Sequence, residues 1–585
     1  MIIQELVDYY EYLQKNQPDA VVQRGWSQVR ISCFINIDQQ GNLLGLVPVG
    51  DKSGLPRAVP EQVKRSSGIA PNFLCDTPAY LLGFDAKGKP ERALRCFEAS
   101  KALHVRLLSG VDSIASRATC MFFEKWQPEN TAESSALNEH LEVLLSGRNL
   151  AFMVEGAEVV DDSAIRQRWL NSLDEASDEN SLGRCLATGH MTKIARLHPV
   201  VKGVVGGQSM GTSLVSFNEP SFSSYGHDGE QGFNAPIGEY AAFAYAAALN
   251  YLIADRRHHI RLGDTTIVYW AGASDTECTE VVCGLFGGLG FGGNDLPDED
   301  PDEVIDSIMN EVRLGKWVKN VDPGVPFYVL GVAPNAARLS VRFFERSTFG
   351  QVIDNLAAHY GRLEIAHAPF EPKYLSPYRL LKAVAPPKSK QDPATSVLGG
   401  SFMRSILSDR PYPAALYHNA LMRTFATKDD AETRTQKVSY ERAAIMKAYL
   451  IKNVSSNGKE FTVSLDKSRD DTAYVLGRLF AVFERIQKRA NPDLNATIKD
   501  RYFNSACTTP NVVFPTLAKL SEKHLTKLQK DSSVAGAAVN FSKELGELYG
   551  KLDAFPKRLS LDEQGAFVIG YQHQRQDFFD RVQNQ

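Results

Sequence analysis

Gly207-Gln208-Ser209-Met210-Gly211 has the G-x-S-x-G spacing of a nucleophile elbow. In an elbow, a strained turn between a strand and a helix lifts the serine hydroxyl into the site. VKGVV before the motif can supply the strand, but TSLVSFN after it reads as extended chain. His227 and Asp228 follow within the same segment instead of in distant ones. A hydrolase using Ser209 therefore stays only as an alternative. Gly288–Gly293, GLGFGG, matches G-x-G-x-x-G, which binds a pyrophosphate when it opens into a helix N-terminus. Here it opens into NDLPDEDPDE, whose carboxylates repel phosphate, so a glycine loop is expected. Cys278 and Cys283 form C-x4-C without a second pair, and His258 and His259 read as a polar helix end. Four ligands are not assembled. No D-x-D or H-D pair stands in a cluster of the kind metal-dependent nucleases and helicases need, so the expectation is no catalytic residues, no metal and no cofactor.

The basic residues are better organised. Met446–Gln585 holds 21 Lys+Arg against 16 Asp+Glu, whereas residues 1–445 hold 44 against 53. In LGRLFAVFERIQKR, Leu476, Leu479, Phe480, Phe483 and Ile486 share one helical stripe. Arg478, Arg485 and Arg489 recur at i, i+7 and i+11 on another. In TLAKLSEKHLTKLQK, Lys519, Lys523, Lys527 and Lys530 run beside Leu517, Leu520, Leu525 and Leu528. One face packs and the other is a track of cations suited to a polyanion's backbone. A merely solvated helix face has the same pattern.

These residues need elements to position them. At 585 residues, a norm of about 150 residues per domain allows roughly two to four domains. Hydrophobic residues at 43% and charged ones at 23% describe ordinary globular material, and a pI near 6.3 confines any nucleic-acid contact to local patches. Eight scattered cysteines fit reduced thiols in a cytoplasm, and MIIQELVDYYEYL reads as an amphipathic first helix without a signal peptide. No apolar run is long enough to span a membrane. Val29–Ile37 and Leu43–Val49 predict a hairpin; residues 136–150, 162–175 and 237–255 predict helices. TTIVYW, FYVLGV and RLSVRFF predict strands, and VIDNLAAHYGRL a helix. DLPDEDPDE at 295–303 predicts an acidic loop. The expected fold class is an α+β N-terminal region followed by an all-α C-terminal helical bundle: 1–384, a linker at 385–396, and 397–585.

Longer words lie in order along the chain: VPEQVKRSSGIAPNFLCDTPAYLLG at 59–83, GGQSMGTSLVSFNEPSFSSYG at 206–226, and RLGDTTIVYWA at 261–271. FYVLGVAPNAARLSVRFF at 327–344, RAAIMKAYLIKN at 442–453, LGRLFAVFERIQKRA, TIKDRYFNSACTTPNVVFPTLAKL and FVIGYQHQRQ follow. Together they resemble the large subunit of the type I-C CRISPR effector, the Cascade complex; the stretch from Lys87 to Lys202 contributes little.

That resemblance implies a prokaryotic, cytoplasmic, non-catalytic subunit that checks a short motif (the PAM) in duplex DNA while guide pairing reads the target. It also implies help with R-loop formation, support of the displaced single strand and recruitment of a helicase-nuclease. Its partners would be guide RNA, target DNA, the backbone and guide-end subunits and a small subunit. On the two motif-bearing segments, the candidates for duplex contact are Lys64, Arg65, Ser66, Ser67, Asn72, Phe73, Gln208, Ser209, Asn218, Ser223, Ser224 and Tyr225. Phe73 is a candidate wedge between base steps. Strand contact falls to the seven basic residues of the C-terminal stripes. An internal start at Met446, the last methionine, would release residues 446–585 as a separate small subunit. A generic single-stranded nucleic-acid binder is the other alternative.

Overall fold

The long strand β1, Trp26–Ile37, organises the N-terminal sheet. Its partners on one side are β2, Leu43–Pro48, and β3, Leu55–Pro60, both antiparallel. β2 takes the Cys33–Ile37 half and β3 the Trp26–Ile31 half. On the other side β5, Asn149–Val154, runs parallel with Phe34 opposite Ala151, and β4, Cys75–Asp76, and β6, Ala157–Glu158, pair with β5. Parallel pairing needs a crossover, and helices between β4 and β5 supply it, chiefly Pro90–Leu108 and Ile114–Lys125. The structure is a computed structural model describing residues 1–583 except 50–53, 64–67, 87, 132–136, 138–139, 176–181, 225–226, 228, 274, 288–300, 315–320, 387–395, 431, 433–434, 455–459, 493, 495 and 533. Lys64, Arg65, Ser66, Ser67, Tyr225, Asp228, the GLGFGG loop, 295–300 of the acidic segment and most of the expected linker lie outside the described residues.

The helices used below are α1, Ile2–Asn16; α2, Pro90–Leu108; α3, Ile114–Lys125; α4, Ser163–Glu175; and α5, Glu239–Ala254. After them come α6, Asp275–Gly287; α7, Pro301–Arg313; α8, Phe349–Leu363; α9, Pro377–Val384; and α10, Ser396–Leu407. The C-terminal set is α11, Ala414–Ala426; α12, Tyr440–Tyr449; α13, Thr472–Ala490; α14, Ile498–Thr508; α15, Pro510–Lys530; α16, Ala535–Tyr549; and α17, Leu561–Gln583. Between α4 and α5 lies a small hairpin of β7, Leu182–Arg184, and β8, Met191–Lys193. A second sheet is an antiparallel meander of β9, His259–Leu262; β10, Thr265–Ala271; β11, Pro326–Asn335; and β12, Arg338–Thr348. Among the described residues every strand precedes Phe349. An α+β N-terminal region followed by an all-α C-terminal region is the observed class.

Several local expectations change. His259 opens β9 instead of ending a helix, while His258 is buried with its Nε2 3.7 Å from an Asp275 carboxylate oxygen. Pro301–Glu303, the end of the expected acidic loop, form the first turn of α7, where carboxylates favour the helix dipole.

The chain divides into two compact units, and the division does not fall at 385–396. One is Met1–Pro199 with Ser216–Tyr251; the other is Val200–Val215 with Leu252–Gln585. The second unit therefore contains both the meander and the bundle. A single apolar core runs through it from Ile260 and Phe327 by way of Leu356, Leu380 and Met446 to Leu479 and Phe567. A Pro/Ser/Lys-rich segment marks chain that need not pack. It does not mark where a core ends, because the helices on either side of it share one.

Candidate nucleic-acid interface

α13 begins at Asp471, whose Oδ1 accepts from the amides of Ala473 and Tyr474. That cap starts a helix buried from Ala473 through Glu484, so the first arginine of the predicted stripe does not reach solvent. Arg478 is only 2% exposed, and its Nε donates to Gln574 Oε1 of α17 at 3.0 Å. Its assignment to phosphate contact is corrected: periodicity gives the face of a helix, not how far a neighbouring helix covers that face. Beyond Glu484 the helix emerges. Arg485 is half-buried and Lys488 and Arg489 are exposed.

Lys527 of α15 joins these three around a groove of about 540 Å³, with Asp531 its one carboxylate. Lys488 pairs with Glu484 at 2.7 Å, and Lys527 Nζ donates to Asn491 Oδ1 at 2.8 Å. Burial and the neighbouring Arg489 lower the affinity of the Arg485 guanidinium for its proton. An anion in the groove would relieve that mutual repulsion. Lys519, Lys523 and Lys530 are also exposed on α15, whose opposite face buries Val513, Phe514, Leu517 and Leu528. Among the expected strand-contact residues, the structure gathers Arg485, Arg489 and Lys527 at one groove.

The N-terminal candidates separate more sharply. Asn72 spends its polar groups inside its own loop. Its amide donates to Asp76 Oδ2 at 2.8 Å, Oδ1 accepts from the Val63 amide at 2.8 Å, and Nδ2 donates to Gln62 Oε1 at 2.7 Å. Phe73 is 1% exposed, stacked on Trp169 with ring centroids 5.5 Å apart. As placed it is a core residue and not a wedge: Leu74, at φ +58°, turns the chain inward there. Buried His104 holds the turn, its Nε2 accepting from the Leu74 amide at 2.9 Å while Nδ1–H donates to Ser100 O at 2.7 Å.

Gln208 and Ser209 are exposed on a loop of the second unit. Thr212 pairs with Val201 and Ser213 with Arg338, so bridges follow Ser209 where an elbow requires a helix. Asn218, Ser223 and Ser224 belong to the first unit; Asn218 and Ser224 are exposed, and the Ser224 amide donates to Asn234 Oδ1 at 2.8 Å. Among the described residues no group of three or more His, Cys, Asp or Glu side chains is placed to hold a metal ion.

Sequence reading missed a second cationic site. Asn72 and Phe73 stand on the wall of a cleft of about 970 Å³ within the first unit, also lined by Arg24, Arg106, Arg168 and Arg196. These arginines come from four distant segments, so no spacing in the chain could reveal them. Among the described residues no helix is long and apolar enough to cross a membrane.

Comparison with curated proteins finds no match. The family described as CRISPR-associated protein (Cas_Csd1) does match, over residues 6–579, and therefore through both units and both cationic sites. The chain belongs to that family and is a protein of a CRISPR effector complex.

Proposed function

We propose that this chain is the large subunit of a type I-C RNA-guided surveillance complex. In this reading it acts by binding, not by catalysis. Guide RNA reads the target by pairing, and the large subunit tests the PAM in duplex DNA, promotes R-loop opening and steadies the displaced strand. The observation that carries the reading is the groove where Arg485, Lys488, Arg489 and Lys527 converge from two helices of the bundle. Guanidinium and ammonium groups around one groove suit phosphates, which position a strand without reading its sequence.

Base reading needs donors and acceptors on exposed loops. Gln208, Ser209, Asn218 and Ser224 keep that property; Asn72 is committed to its own loop. The guide-end and backbone subunits, a small subunit and a helicase-nuclease complete the proposed assembly.

The test is equilibrium binding of target duplex by the assembled complex across a salt series. Replacing Lys519, Lys523 or Lys527 by Ala should weaken binding alike on all sequences, and each lost phosphate contact should reduce the salt slope by about 1. Gln208→Ala should instead cost about 1–3 kcal/mol only on PAM-bearing duplexes. Unchanged affinity and slope in a triple lysine variant would remove the α15 stripe from strand binding, and the same result for Arg485→Ala/Arg489→Ala/Lys527→Ala would remove the groove. Esterase turnover abolished by Ser209→Ala would overturn the non-catalytic reading.

A further inference from the structure

The first unit is acidic overall, with 21 Lys+Arg against 29 Asp+Glu in Met1–Pro199 and Ser216–Tyr251. One cleft within it has the opposite sign. Arg24, Arg106, Arg168, Lys193 and Arg196 line it against only two carboxylates, Glu61 and Glu239. Glu239 is already engaged by Lys193 at 3.1 Å. A random draw from this unit would make such a cleft acidic, so the cations are segregated there. A low-dielectric cleft lined by one sign of charge focuses the field and concentrates the opposite ion.

The walls that carry these arginines are tied together. Trp169, next to Arg168 on α4, donates Nε1–H to Gly25 O at 2.6 Å. The Glu61 amide donates to the same oxygen at 2.7 Å. Gly25 sits at φ +76°, and a Cβ there would lie 2.4 Å from Leu173 Cδ1, so the backbone beside Arg24 is fixed against α4. The opposite face of that aromatic wall is Phe73, which contacts His104 on α2, the helix that also bears Arg106. The frame fixes where the backbones beside Arg24, Arg106 and Arg168 stand, and the guanidinium fork binds phosphate oxygens bidentately.

We infer that this cleft is a second phosphodiester-binding site, separate from the bundle groove, and that it grips the backbone of a nucleic-acid strand through Arg24, Arg106, Arg168 and Arg196. Guide RNA and the duplex flank of the target both present that chemistry. The inference rests on the nucleic-acid reading of the chain, but it concerns different residues in a different unit.

The experiment uses the full complex carrying the double variant Arg106→Glu/Arg196→Glu, two exposed positions whose replacement spares the packed frame. Guide-RNA content of the purified complex is read from its 260/280 nm absorbance ratio, and duplex binding from a salt series; an unchanged thermal melt confirms folding. A loss of bound RNA assigns the site to the guide. Retained RNA with duplex affinity down about tenfold or more, and a salt slope lowered by about 2, assigns it to target phosphates. Wild-type RNA content and duplex binding together would overturn the inference. The bundle-lysine variant is measured alongside. If it weakens binding while the arginine variant does not, the cleft alone fails; if neither has an effect, the nucleic-acid reading fails with it.

Discussion

His104 shows how one buried side chain sets a loop. Burial pushes its pKa down to about 4, and its neutral ring accepts the Leu74 amide that a proton on Nε2 would displace. An unfolded histidine titrates at about 6.5, so between that pH and about 4 the unfolded chain binds more protons and stability falls as pH drops. From pH 7 to pH 5 the His104 share of that loss is about 2 kcal/mol. Urea unfolding at the two pH values should show a smaller difference for His104→Gln than for wild type, and an equal difference contradicts the assignment. Phe73 belongs to the same cluster. Phe73→Ala should destabilise the free protein by about 3–5 kcal/mol, the cost of an emptied aromatic site. An unchanged urea midpoint would return Phe73 to the surface as a wedge. The chain alone does not distinguish these roles, because P-N-F-L is compatible with either; the turn at Leu74 and the ring of Trp169 decide it. Arg478 teaches the same lesson from the other side: its type and spacing suit phosphate, and its burial against Gln574 removes it from reach.

Helix pairing in the bundle depends on two glycines. A Cβ on Gly477 of α13 would lie 2.0 Å from Phe567 O of α17, and one on Gly570 of α17 would lie 2.2 Å from Tyr474 O of α13. The two backbones touch where side chains are absent, which is the reason for glycine in the middle of both helices despite its lower helix propensity. Gly477→Ala should lower stability by about 1–3 kcal/mol through overpacking, measured by thermal melting; a wild-type melt would mean the helices separate at no cost. The same elements bear on the small-subunit proposal. Met446 is 0% exposed in α12, packed in the core that also holds α8, α9 and α11. Lys447 Nζ donates to Glu364 O at 2.7 Å beyond the end of α8. A product starting at Met446 lacks those partners and would take the α13–α17 pair as its core. Met446→Leu conserves volume and should cost less than about 1.5 kcal/mol, so it tests translation without unfolding the chain. With a C-terminal tag, a band near a quarter of full length should appear from the wild-type gene and vanish in Met446→Leu. Its persistence would place the start elsewhere. Elements carried by long apolar runs, such as α5, β10 and β11, or by amphipathic periodicity, such as α8, were legible in the chain. The unit boundary was not, since it depends on which apolar faces meet.

At the scale of the whole molecule, two cationic sites stand in different units of a chain whose net charge is −4. One is written along helices at regular spacing and could be read from the chain; the other exists only after four segments converge. An overall negative charge limits indiscriminate binding to nucleic acid, while clefts lined by cations concentrate anions locally. The proposed function requires target binding to depend, through this chain, on the bases flanking the target. The direct measurement is equilibrium binding of guide-loaded complex, assembled with and without this chain, to duplexes with one target and systematically varied flanking bases. With the chain present, affinity should vary with the flank by at least about 1–3 kcal/mol per read base pair; without it, the variation should disappear. The same flank dependence in both assemblies would exclude this chain as the reader of those bases.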